Sequence, residues 1–144
     1  MKNVRILITT VLLLSAVSVY VQGQERPLLT ATVPFAFTVE NSNLPAGAYT
    51  VSILPPYNMI KVQSADGRKA TMTSAIPSRK SEVSKQAKLV FHRFRNEYFL
   101  VQVWEQGSNV HRDLQSGSRA RELAGSGGGI QSATIFASAS HGSH

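Results

Sequence analysis

His111 and Asp113 are the residues of this chain whose spacing comes closest to acid–base chemistry. They are two positions apart, so on a β-strand they lie on one face, where an aspartate can orient a histidine as a general base. A hydrolase also needs a nucleophile on a sharp strand-to-helix turn, and the Gly-Ser-Gly sequence at residues 125–127 lacks that context. The eight carboxylates are scattered, so no glycosidase pair stands out. The sequence therefore assigns no catalytic residue, and a surface ion pair is the simpler interpretation of His111 and Asp113.

Metal, thiol and phosphate sites are not predicted either. No two histidines have the four-residue spacing, with a glutamate between them, of a metalloprotease helix. His141 and His144 lie on a Gly- and Ser-rich end that offers no rigid site. The three glycines at residues 127–129 lack the Lys-Ser or Lys-Thr that completes a phosphate-binding loop. The chain has no cysteine, which excludes disulfides and thiolate ligands, so we expect no cofactor and no metal.

Basic residues are concentrated in the middle of the chain. Between residues 61 and 95 there are nine Lys and Arg residues and two acidic residues. A field of this sign attracts acidic polysaccharide, phospholipid headgroups or nucleic acid, and an exported chain seldom meets nucleic acid. Arg79, Lys80 and Lys85 lie in a polar stretch between predicted strands and are the candidate anion-binding residues. A basic surface that only keeps the protein soluble is the competing interpretation.

Residues 1–23 have the layout of a secretory signal peptide. Lys2 and Arg5 precede an apolar run, and a cleavage site is expected before Gln24. The alternative, an uncleaved membrane anchor, usually needs about 20 apolar residues. We therefore expect cleavage, no membrane span in the mature protein, and a periplasmic or extracellular location.

Residues 87–104 form the densest apolar and aromatic run outside the first segment. Arg95-Asn96 at its centre predicts a β-hairpin in which Asn96 takes the positive φ of the turn. Arg93 then lies opposite Tyr98, with its guanidinium over the ring, and Leu89 lies opposite Gln102. Both faces of this hairpin are largely apolar, so both must be covered by the rest of the sheet.

The flanking sequence predicts further strands and one helix. Ala65-Asp66-Gly67 is a strong hairpin signal, Val33 begins a run in which alternate residues are apolar, and Ser118 is placed to cap a short helix. We expect an antiparallel β-sandwich or small barrel of about seven or eight strands, with one short helix near the C-terminus. The predicted segments are a signal peptide (1–23), a β domain (24–124) and a flexible Gly/Ser/Ala-rich tail (125–144), in which residues 133–137 could pair weakly with a sheet edge.

Six segments of the chain form a distinctive ordered set: 33–37 (VPFAF), 44–51 (LPAGAYTV), 89–94 (LVFHRF), 98–100 (YFL), 102–104 (QVW) and 118–123 (SRAREL). Taken in order, they resemble a family of short, exported, β-rich proteins common in acidobacteria and related soil bacteria. The resemblance covers most of residues 31–124, and members of the family tend to have a Gly-Asp type of turn where this chain has Arg95-Asn96. It implies an exported β domain and carries over no activity and no functional residue.

These observations favour a non-catalytic exported protein that binds something at, or forms part of, the cell envelope or extracellular space. Its expected partner is an anionic polysaccharide or lipid headgroup. The first alternative is a carrier of a small apolar ligand, because a β-barrel can enclose one between aromatic side chains. A hydrolytic enzyme is the third hypothesis. The candidate cavity residues for the carrier are Phe35, Phe37, Tyr49, Phe91 and Phe99.

Overall fold

The computed structural model describes residues 24–55 and 58–140. The predicted signal peptide, His141 and His144 lie outside the described residues. Within these two ranges, no helix combines the length and the apolar character that crossing a bilayer requires. The elements are β1 (Arg26–Val33), β2 (Phe37–Val39), β3 (Ser42–Leu44), β4 (Gly47–Leu54), β5 (Met59–Ser64), β6 (Ala70–Arg79), β7 (Ala87–Phe94), β8 (Glu97–Trp104), β9 (Val110–Leu114), α1 (Ser118–Gly125) and β10 (Gln131–Ala139).

Eight of the strands close into an antiparallel barrel. The strands follow one another in the order β8, β7, β10, β1, β4, β5, β6 and β9, and pairing of β9 with β8 closes the cylinder. The small β2–β3 hairpin attaches to β8 through a parallel bridge between Thr38 and Phe99. The expected all-β fold with a short helix near the C-terminus is confirmed, and of the two expected architectures the barrel is the one that forms.

Strand β10 corrects the prediction of a flexible tail from residue 125 onward. Residues 131–139 form a regular strand between β7 and β1, so the barrel extends well beyond the expected boundary at residue 124. Its alternate residues Ala133, Ile135 and Ala137 pack against the core. The sequence did not predict a regular strand here, because alternation of Ala with Ser and Thr gives a weak hydrophobic signal. The strand is needed because without it β7 and β1 would be open edges.

The barrel interior is filled by side chains from every wall. Tyr49 and Phe91 are among the largest fully buried side chains, and Phe37 contacts both of their rings edge to face, with ring centres 5.1 and 5.4 Å apart. Aromatic pairs in this arrangement stabilise a core beyond the burial of their area. Residues of β4 and β5 complete the interior with Val51, Ile53, Ile60 and Val62.

The central hairpin forms in the predicted register near its turn and departs from it further along. Arg93 pairs with Tyr98, and its guanidinium lies 5.5 Å from the ring centre, as predicted. A β-bulge at Val101 then shifts the register, so that Leu89 lies opposite Val103 and not opposite Gln102. The extra residue moves each later side chain of β8 to the opposite face of the sheet. Val103 therefore points inward, where it is completely buried.

Two local predictions about turns and caps are wrong. Arg95, and not Asn96, takes the positive φ of the hairpin turn, with φ of 55°. Ser118 is the first residue of α1 and not its cap, because Gly117 occupies the cap position without a side-chain hydrogen bond. The cap comes from the β2–β3 turn, where Asn41 Oδ1 accepts hydrogen bonds from the backbone N–H and the hydroxyl of Ser118.

Helix α1 covers one end of the outer face of the hairpin. Ala120 and Leu123 pack against Phe94 and Phe99, and these four residues form a second buried cluster outside the barrel. The expectation that both faces of residues 87–104 are covered is met on the inside by the opposite wall of the barrel, and on the outside by α1 at this end only. The far end of the same outer face lies beyond the helix, and the candidate site is found there.

Candidate functional site

The candidate site is built on a row of side chains that crosses the outer face of five strands. Phe136 of β10, Lys88 of β7, Trp104 of β8, His111 of β9 and Ser78 of β6 are successive cross-strand partners. Partners in a sheet project on the same face, so these five side chains form one surface. We call this surface the outer row. Trp104 belongs to it only because the bulge in β8 turned its side chain away from the barrel interior.

The indole ring of Trp104 has two lysine ammonium groups on one face and the imidazole of His111 on the other. The ring of His111 stacks on the indole with 4.3 Å between centroids and 9° between planes. The ammonium groups of Lys88 and Lys80 lie over the ring, 4.7 and 5.5 Å from its centroid. Because the imidazole covers one face of the indole, the ammonium groups occupy the other. These distances are typical of cation–π contacts.

A chain of hydrogen bonds fixes the orientation of the indole. Trp104 Nε1 donates to Gln102 Oε1 at 3.1 Å, and Gln102 Nε2 donates to Asp113 Oδ1 at 2.8 Å. Ser78 Oγ donates to the second oxygen of Asp113 at 2.6 Å. Burial raises the pKa of Asp113, but the hydrogen bonds from Ser78 and Gln102, together with the neighbouring His111, more than offset it, so the pKa lies below its ordinary value of 3.8.

His111 is a buried residue that contacts Asp113, so the predicted pair forms with only its aspartate at the surface. The histidine is 4% exposed, and its Nε2 lies 3.4 Å from Asp113 Oδ1. The other ring nitrogen, Nδ1, is buried and has no hydrogen-bond partner among the described residues. The serine of this group donates to the carboxylate, whereas a hydrolytic triad needs the serine on the imidazole. The arrangement orients the imidazole and supports the indole, and in the described part of the chain no hydroxyl is hydrogen-bonded to the histidine.

A groove of about 420 Å³ lies beside Trp104. Residues 80–85, Lys88 and Trp104 line it, so three ammonium groups and the carboxylate of Glu82 face one space. We call it the Trp104 groove. The loop that forms its wall is held to the β8–β9 loop by backbone hydrogen bonds of 2.8–2.9 Å, from Lys80 N to Asn109 O, from Ser84 N to Ser108 O and from Gly107 N to Ser84 O. These bonds hold the lysines of the loop near the indole.

The structure brings two of the three predicted anion-binding residues together. Lys80 and Lys85 line the groove, whereas Arg79 pairs with Val110 and projects from the other face of β6 than its neighbour Ser78. Lys88 is the third lysine of the groove. The sequence did not predict it, because in a register without the bulge Lys88 does not lie opposite Trp104. No local signal in the sequence marks that bulge.

The lysines of the groove differ from half of the ten other basic residues in the described part of the chain, since five of those ten contact a carboxylate. Arg26, Lys61 and Arg119 each contact a carboxylate, at 2.9, 3.0 and 2.9 Å respectively. In the part of the chain that the structure describes, Lys80, Lys85 and Lys88 have no carboxylate within the 4.0 Å of an ion pair. Their charge is therefore available to an external anion.

The residues predicted to line a ligand cavity are divided between two places. Phe35, Phe37, Tyr49 and Phe91 lie together in the barrel, where Phe35 also contacts Phe91 edge to face with ring centres 5.1 Å apart. Phe99 projects outward and packs beneath α1, so its inclusion in this set is wrong. The hairpin places consecutive residues of β8 on opposite faces, and Tyr98 is the one that points toward Phe35. Ring-to-ring contacts link all four of the predicted side chains in the barrel interior.

Within residues 24–55 and 58–140, no group of three or more His, Asp or Glu side chains is arranged to hold a metal ion. Comparison of the chain with models of protein families, with curated proteins and with solved structures gave no match.

Proposed function

We propose that this protein is a non-catalytic binding protein of the cell envelope or extracellular space, and that it holds anionic groups in the Trp104 groove. The observation that carries the proposal is the convergence of Lys80, Lys85 and Lys88 on one groove without a carboxylate partner among the described residues. The layout of residues 1–23 supports export.

The groove favours a phosphate or carboxylate ligand. An ammonium group is a compact point charge with three donors, and it suits an anionic oxygen. Trp104 is 7% exposed, so each contact that holds Lys80 or Lys88 over the indole is worth between about 0.5 kcal/mol, the value for exposed pairs, and about 2 kcal/mol, the value for desolvated pairs. An arriving anion can therefore recruit both ammonium groups at a cost within this range for each.

The indole supports the lysines from a fixed position. Its Nε1 is bound by Gln102 and its rear face is stacked on His111, so Trp104 does not need to be ordered when a ligand binds. Preorganisation of this kind raises affinity because it lowers the entropy cost of binding.

Salt-dependent retention on an immobilised anionic polysaccharide tests the proposal. The groove variant carries Lys80→Gln, Lys85→Gln and Lys88→Gln. The control variant removes the same charge through Arg68→Gln, Lys69→Gln and Arg95→Gln. These exposed residues lie in the β5–β6 and β7–β8 turns, at the ends of β6 and β7 that are far from the groove.

We expect the wild type and the control variant to elute at similar salt concentrations and the groove variant to elute much earlier. Because Trp104 is the one tryptophan of the chain, its fluorescence should also change when a soluble anionic oligosaccharide or inorganic phosphate is added. Equal losses in the two variants would show that only net charge matters, and this would refute a site at the groove.

A further inference from the structure

Two large apolar side chains are exposed at or next to the Trp104 groove, and we call them its rim. Val83 lines the groove, whereas Phe136 lies beside Lys88 and lines a neighbouring groove with residues of β1 and β4. Phe136 is 64% exposed and Val83 is 56% exposed. Phe136 is the cross-strand partner of Lys88, and Val83 lies in the loop between Lys80 and Lys85. Each apolar side chain therefore lies beside ammonium groups of the groove.

Charged and apolar groups in this arrangement match the boundary of a phospholipid bilayer. Ammonium groups can contact lipid phosphates while neighbouring apolar side chains enter the region below the headgroups. Anionic lipids add about 1 kcal/mol of attraction for each lysine near the surface. A polysaccharide supplies anions, but it offers no apolar phase in which Phe136 and Val83 can be buried.

We propose that the Trp104 groove and its rim dock on an anionic phospholipid surface, with Phe136 and Val83 inserted between the headgroups and Lys80, Lys85 and Lys88 bound to phosphate. This inference rests on the proposed function and names the lipid as the source of the anion. Charge complementarity alone would fit either source, and the two exposed apolar side chains are the observation that selects the membrane.

The test compares co-sedimentation with vesicles of phosphatidylcholine alone and with vesicles of phosphatidylcholine mixed with phosphatidylglycerol. The rim variant carries Phe136→Ser and Val83→Ser. The control is Met72→Ser, because Met72 is 57% exposed but lies on β6 opposite Lys61, away from the groove. All three positions are exposed, so these substitutions should leave the fold intact.

We expect the wild type and Met72→Ser to bind the mixed vesicles and not pure phosphatidylcholine. The rim variant should bind the mixed vesicles at least about tenfold more weakly, since burial of a Phe side chain alone is worth that factor. It should keep its retention on the anionic polysaccharide, because its lysines are unchanged.

The possible failures are distinguishable. Binding to the polysaccharide without binding to mixed vesicles would overturn the membrane inference and leave the proposed function standing. Equal vesicle binding by the rim variant and the wild type would overturn the insertion of Phe136 and Val83. Failure to bind any anionic probe would overturn both proposals.

Discussion

The close approach of α1 to the β2–β3 turn can be tested by adding a single methyl group at Gly117. A Cβ atom built on Gly117 would lie 1.7 Å from the backbone oxygen of Glu40 and 2.6 Å from Asn41 Oδ1. Gly117 has φ of −73°, which alanine adopts without strain, so any destabilisation by Gly117→Ala comes from this contact. The turn is itself constrained, because Glu40 has φ of 56°.

The size of the effect follows from how far the turn must move. Real Cβ atoms do not approach another atom within 3.0 Å, so the helix and the turn must separate by at least 1.3 Å. Overpacking of this kind costs about 1–3 kcal/mol. The movement also weakens the cap that Asn41 provides to Ser118, which is worth about 0.5–2 kcal/mol. We therefore expect the free energy of unfolding to fall by about 2–4 kcal/mol.

Chemical and thermal denaturation measure this loss. For a domain of this size, 1 kcal/mol corresponds to about 4 °C in Tm, so Gly117→Ala should lower Tm by about 8–16 °C. Gly125→Ala is the matched control, since its added Cβ would meet nothing within 4 Å and its φ lies outside the left-handed region. That variant should be as stable as the wild type or slightly more stable. Asn41→Ala should show the capping contribution alone.

A Tm for Gly117→Ala within about 2 °C of the wild type would refute the reasoning. The loop before α1 would then not touch the β2–β3 turn.

Two further substitutions test the site and the barrel. Asp113 has a lowered pKa, so its bonds add stability above the ordinary value of 3.8, and this stability is lost as the pH falls through the folded pKa. Ser78→Ala removes one hydrogen-bond donor to Asp113 and brings the pKa of Asp113 closer to its ordinary value. The drop in Tm between pH 6 and pH 3 should therefore be smaller than in the wild type. An unchanged drop would contradict the Ser78–Asp113 bond. Ile135→Ser places a hydroxyl against the core in β10 and should lower the free energy of unfolding, measured in urea, by about 1–3 kcal/mol, whereas no loss would show that residues 131–139 do not belong to the barrel.

The sequence by itself determined the elements whose signals are short-range. Tyr49, Val51 and Ile53 alternate inward along β4 as predicted, because side chains of a strand change face at every residue. Asp66-Gly67 set the register of β5 and β6, so that Val62 lies opposite Thr71. A tight turn fixes its flanking pairs through backbone geometry alone, and this holds whatever surrounds the hairpin.

The tertiary structure decided the features that depend on residues far apart in the chain. The bulge at Val101 moved Trp104 outside, where it meets His111 and Lys80. Strand β10 forms because its backbone pairs with the free edges of β7 and β1. Its own side chains are not strongly apolar. Closure of a barrel determines the number of strands and which residues pair between neighbouring strands. The Trp104 groove therefore exists only once all eight strands are in place.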